Sequence, residues 1–231
     1  VLERGFEHCQ GLIGGLALTV KGLQSEQERL AAQINCVMCT LKAKNEPVPL
    51  LRLLCQHIMK DPSFKNLDAD PLFVGEGNFS RKEMFAGLSG KTNVVIIAKT
   101  RDEVIFGVSY WGPIFGYDTK APAGKVRVFR FDPNDDESPF EWFEVKKNRK
   151  GNVYVQFKSE SVSGFVNLGC EDVGQLWIGN DRSKSYCENL SGIFERMKDD
   201  RLTGHTGKTF KQYYHVQNII VLQLKEREDK C

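Results

Sequence analysis

Five short patterns in this 231-residue chain hold residue types that can do chemistry. Cys36–Val37–Met38–Cys39 is a C-x-x-C, the spacing used by zinc ribbons and redox pairs. It has no second C-x-x-C or paired histidines, and it lies inside a continuous helical pattern, so it reads as two helix cysteines. Gly204-x-x-Gly207-Lys208-Thr209 has the ending of a phosphate-cradling loop. Such a loop needs four residues between its glycines and a helix behind it. Here there are two, and residues 213–224 read as a strand, so a turn is expected. Gly75–Glu76–Gly77 lacks the βα context of a dinucleotide fingerprint. Asp132, Asn134 and Asp136 alternate as in a calcium loop, but Glu137 takes the place of the required Gly and Phe143 that of the closing Glu. An acidic surface turn is expected. The densest basic cluster is Lys146, Lys147, Arg149 and Lys150, which can meet phosphates by charge and counterion release. His8, His57, His205 and His215 are dispersed and adjoin no obvious catalytic partner. No catalytic residue, metal site or cofactor is expected from these patterns.

The elements that must position these residues follow from composition and periodicity. Charged residues make up 27% and hydrophobic residues 41%, which excludes collagen-like and wholly disordered chains. The net charge of +2 does not mark a nucleic-acid or membrane binder. No run approaches the ~20 apolar residues of a spanning helix. The apolar stretch 11–20 continues into a helical pattern without a small-residue cleavage site, so it does not read as a secretory signal. An upstream segment before Val1 stays open. Seven cysteines at scattered spacing do not form a secreted disulfide framework, and a cytoplasmic or nuclear location is expected.

The N-terminal segment has the period of a coiled coil. Phe6, Ile13, Val20, Gln27, Ile34 and Leu41 fall at position a; Cys9, Leu16, Leu23, Leu30 and Val37 fall at d. Ten of these eleven sites are apolar, counting Cys, and the interval of seven is unbroken. Gln27 is a central polar a residue of the kind that fixes register. The flanks lack opposite-charge pairs, so strand number and orientation stay open. Residues 1–46 are expected to join copies of the chain through Ile13, Leu16, Val20, Leu23, Gln27, Leu30, Ile34, Val37 and Leu41. The alternative is a single amphipathic helix folded back on its own body. Residues 42–49 carry two prolines and act as a linker, and Pro49 opens a short helix over 50–60.

Residues 47–231 are expected to form the body. Ser80 and Glu83 make a capping box before a helix that ends at Gly90. Strands are expected over 93–99, 104–110, 125–132, 142–145, 153–158, 165–168, 176–178 and 219–224. The turn 100–103 makes the first two a hairpin, and 146–152 reads as the tip of a second. Many strands with few helices give an α+β chain: an antiparallel β-sandwich with a few peripheral helices, preceded by the coiled-coil helix.

The order of these segments resembles the TLDc (TBC/LysM-associated) domain family, particularly divergent protozoan members with an N-terminal coiled coil. The likeness runs over about 70–226. It rests on Leu72–Phe73, the 79–88 helix, the 93–107 hairpin ending in Phe106–Gly107, Gly174–Gln175–Leu176–Trp177–Ile178, Ser185–Tyr186–Cys187, Leu202–Thr203–Gly204 and Thr209–Phe210. It departs from the family at Val108–Ser109, at Lys211–Gln212 and at the tryptophan-free Leu222–Gln223–Leu224. The resemblance implies oxidative-stress protection and binding to a protein partner, as in the branches that bind the vacuolar proton pump. It carries no active-site residues over. The expected function is a non-enzymatic, self-associating interaction protein that binds a protein partner. The alternatives are an oligomeric DNA-binding regulator using the basic hairpin, and an uncatalogued enzyme.

Overall fold

Continuous apolar runs and alternating ones build different parts of the body. The computed structural model describes residues 15–16, 18–25, 27, 54, 57–58, 61–64, 67–77, 79–101, 103–114, 116, 119–122, 125–132, 139–158, 166–170, 173–179, 185–197, 202 and 212–226. The chain divides into two units, Val1–Pro62 and Ser63–Cys231.

In the first unit, residues 15–16, 18–25 and 27 are helical. Thr19 Oγ1 donates to the Gly15 carbonyl at 3.0 Å, one turn back. Leu16, Val20 and Leu23 are exposed, by 66%, 51% and 66%. Leu54 and Ile58 are helical and buried. The remaining coil positions expected to be apolar, Phe6, Cys9, Ile13, Leu30, Ile34, Val37 and Leu41, lie outside the described residues, as does the C-x-x-C.

The second unit holds two six-stranded sheets in which every pair is antiparallel. The first sheet has the order β1 (Leu67–Glu76), β12 (Val216–Glu226), β2 (Val94–Thr100), β3 (Ile105–Trp111), β5 (Lys125–Phe131), β6 (Phe140–Glu144). The second has the order β11 (Gln212–Tyr214), β10 (Ser185–Glu188), β9 (Gly174–Ile178), β8 (Val166–Cys170), β7 (Val153–Phe157), β4 (Lys120–Pro122). Inward residues of both sheets form one core, with Ile96, Phe106 and Val221 from the first and Val155, Leu168 and Ile178 from the second. Phe106 and Tyr214 meet edge to face across it, centroids 5.3 Å apart. The chain is thus mostly antiparallel β with short helices, as the strand pattern predicts.

The expected β2–β3 hairpin forms. Thr100 and Val104 close it with a 2.9 Å backbone bond, and Glu103 sits at φ 64° in the left-handed region. Its middle strands read as near-continuous apolar runs because both faces are buried: Val94 to Ala98 are all sequestered. The helix α1 (Arg81–Leu88) also forms as expected. The Ser80 hydroxyl accepts from the Glu83 amide at 3.3 Å, Met84 and Leu88 point into the core, and Gly90 at φ +74° lets the chain turn away.

Of β1, only Leu72–Phe73 is expected, as the opening strand that the family resemblance implies; periodicity alone gives it no counterpart. Its sequence, LDADPLFVGE, carries a proline and two aspartates. Pro71 is tolerated because β1 is the edge of its sheet and the register shifts between Pro71 and Phe73. The expected second hairpin at 146–152 does not form. β6 pairs only with β5 in the first sheet, and β7 pairs with β4 and β8 in the second. The polar stretch between them is a crossover from one sheet to the other.

Candidate anion-binding cavity

The crossover is short and tied down. Val145 bridges to Phe194, and the Lys146 amide donates to the Ile193 carbonyl at 2.9 Å. Residues Lys147–Arg149 then make one 3-10 turn, closed by Arg149 N–H to the Lys146 carbonyl at 2.8 Å. Asn152 N–H donates back to the Arg149 carbonyl at 3.0 Å, and Gly151 at φ +95° makes the bend a residue with a Cβ would resist. The four basic residues read from sequence therefore part company. Lys147 and Lys150 are exposed; Lys146 and Arg149 are half-buried.

Arg149 lines a cavity of about 410 Å³ with Lys120, Asn152, Tyr154 and Cys170. Gly151 and Val153 complete the wall. β4, β7 and β8 lie side by side here, so that Lys120 comes from the edge strand, Tyr154 from its neighbour and Cys170 from the third. The Lys120 ammonium sits 4.8 Å from the Tyr154 ring centroid. Tyr154 lies opposite Gly169 on β8, where a Cβ would stand 3.0 Å from the phenolic oxygen. The missing side chain gives the ring its bed. Asn167 Nδ2 donates to the Tyr154 hydroxyl at 3.4 Å. The Arg149 Nε is buried and has no hydrogen-bond partner among the described residues. Among the described residues no carboxylate lines the cavity. Among the described lining residues two are cationic and two carry neutral polar side chains, a set that an anion complements.

Sequence reasoning reached Arg149 through its basic neighbours but passed over Lys120, Asn152, Tyr154 and Cys170. A usable signal is the alternation in Val153–Phe157: Val153, Val155 and Phe157 face the core, so Tyr154 and Gln156 face the other way.

Cys170, on the cavity wall, and Cys187 are buried cysteines outside any disulfide. His215 is exposed between β11 and β12, and His57 belongs to the first unit. Among the described residues no group of His, Cys, Asp or Glu is placed to hold a metal, and no helix is long and apolar enough to cross a membrane. His8, His205, the glycine–lysine–threonine turn and most of the acidic 132–137 segment lie outside the described residues; Asp132 itself is ion-paired with Arg130. No family model matches the chain, and no curated protein matches it.

Proposed function

We propose that this chain is a non-enzymatic interaction protein of the TLDc kind, assembled through its N-terminal helix, whose two-sheet body docks a protein partner in the cytoplasm or nucleus. The observation that carries this reading is the exposure of Leu16, Val20 and Leu23 on one helix at the a and d spacing. Each such side chain gains roughly 1.5–3 kcal/mol on full burial, and neighbouring copies are the partners that a strict interval of seven selects. Gathering several bodies raises the effective concentration of each for a shared partner. Two antiparallel sheets around one core, with a capped helix after the first strand, agree with the segment order on which the family likeness rests. An oxidative-stress setting comes with that likeness.

The test is the paired change Leu16→Asp and Leu23→Asp in the full chain, followed by light scattering. The wild type runs as a multimer and the variant at the 26.2 kDa monomer mass, with the thermal unfolding of the body unchanged. Equal masses for the two chains remove the proposal.

A second reading is an oligomeric DNA-binding regulator. It is favoured by Lys147 and Lys150 standing exposed on the crossover turn beside Arg149. Symmetry would repeat that turn, and binding would fall steeply with salt. Duplex DNA that binds at low salt and is lost on Lys146/Lys147/Arg149/Lys150→Ala supports it; no binding at low salt removes it.

A further inference from the structure

We infer that the cavity between β4, β7 and the crossover turn binds the phosphoryl group of a small phosphorylated molecule. Arg149 supplies the first reason. A buried guanidinium nitrogen without an acceptor costs free energy, and among the described residues no carboxylate on the cavity wall answers it. A phosphoryl oxygen entering the cavity does. The second reason is preorganisation. The turn that carries Arg149 is pinned at the Lys146 amide, at the Arg149 amide and at the Asn152 amide, so the backbone from which its side chain extends is set in place before any ligand arrives. The third is the donor set. Lys120 adds a second positive charge, which matches the dianionic form of a phosphate monoester near neutral pH. Tyr154 accepts from Asn167, which leaves its own O–H to donate. Asn152 contributes an amide.

Size selects a small molecule over the bare ion. A space of about 410 Å³ falls within the range of small-molecule sites, roughly 300–1,000 Å³, and leaves room beyond the phosphoryl group. Gly169 bears on the shape, because a Cβ there would stand 3.0 Å from the Tyr154 hydroxyl and oblige that side chain to shift. This inference does not depend on assembly through the N-terminal helix.

Calorimetric titration of the full-length chain tests it with inorganic phosphate, glucose 6-phosphate, glucose and duplex DNA as probes. Saturable one-to-one binding is expected for the two phosphate-bearing small probes and none for glucose. Arg149→Gln and Lys120→Gln each weaken glucose 6-phosphate binding by about tenfold or more, the size of a lost charge-assisted bond. Lys147→Gln and Lys150→Gln leave it unchanged, because both residues lie outside the cavity. Arg149→Lys keeps the charge and loses the fork, so its affinity falls between wild type and Arg149→Gln. Unfolding curves without ligand check that each variant folds. Three results overturn the inference: no saturable binding of either phosphate probe, equal weakening by all four neutralising changes, or binding of duplex DNA alone.

Discussion

The two sheets of the body differ most on the faces that turn away from their shared core. In the first sheet that face is mainly apolar, with Lys99, Ser109 and Arg127 among its polar members. Val95, Ile97, Ile105, Phe129, Ile220 and Leu222 stand on it and are all buried. In the second sheet the same side carries Tyr154, Gln156, Asn167, Gln175, Trp177 and Tyr186. Trp177 and Tyr186 stack there at 5.9 Å with planes 8° apart, and Lys158 lies 5.9 Å from the Trp177 ring. Each face contains a glycine beneath an aromatic ring: Gly107 under Phe129 in the first, Gly169 under Tyr154 in the second. In the first sheet the device closes packing. In the second it beds the Tyr154 ring, whose centroid lies 4.8 Å from the Lys120 ammonium. One sheet therefore buries apolar side chains on this face, while the other places polar and aromatic groups there, of which Gln156, Asn167 and Trp177 are themselves buried.

Substitutions at the two glycines should separate the faces most. A Cβ at Gly107 would stand 2.3 Å from the Phe129 ring and 2.4 Å from the Ile96 carbonyl. Neither can give way easily, so Gly107→Ala should cost about 2–4 kcal/mol in urea unfolding. At Gly169 the nearest atom is the end of the Tyr154 side chain at 3.0 Å, so Gly169→Ala should cost about 1 kcal/mol or less while weakening phosphate binding. Equal stability losses would erase the distinction. Adding Phe129→Leu to Gly107→Ala should recover part of the loss, since the ring is one of the two obstacles.

A smaller effect is expected at Tyr214, which joins the sheets. Its hydroxyl donates to the Trp177 carbonyl at 2.7 Å, and burial, reinforced by Cys187 and Tyr186, holds its phenol well above the ordinary value. Tyr214→Phe should cost about 1 kcal/mol. The sign with pH is fixed: the unfolded chain releases this proton near pH 10.0 while the native chain keeps it. The contribution is therefore fully present below about pH 10 and is lost as pH rises above it. Tyr110, also raised by burial, acts in the same direction. Stability measured from pH 8 to 11 should fall less steeply for Tyr214→Phe; parallel curves would contradict this.

In the N-terminal helix, Gly22 has nothing within 4 Å of where a Cβ would stand. Gly22→Ala should raise helicity by circular dichroism, worth up to about 1 kcal/mol. The least effect belongs to the Lys225–Asp70 pair, half exposed on both sides, between the edge strand β1 and β12. Lys225→Ala should change stability by under about 0.5 kcal/mol. A larger loss would mean that this edge holds more of the first sheet together than its apolar face does.

What could be read from the residues divides along the same lines. The central strands of the first sheet, VVIIA and IIVL, announce themselves because burial on both faces leaves no polar interruptions. The capped helix is equally plain, since Ser80 and Glu83 act locally. β1 is hidden because its proline and aspartates are permitted only by its edge position, which local sequence does not encode. β6 and β7 look like hairpin partners because a polar stretch of this length joins hairpins as readily as sheets. The cavity was legible only in Arg149. Lys120, Tyr154 and Cys170 come from three strands, and only their lateral order brings them to one wall. The aromatic alternation at Tyr154 shows a face but not what stands beside it.

Self-association is the claim on which the proposed function stands, and sedimentation of the full chain over a concentration series tests it most directly. The account predicts a mass that is a whole multiple of 26.2 kDa and dissociates on dilution. A mass of 26.2 kDa at every concentration would contradict it.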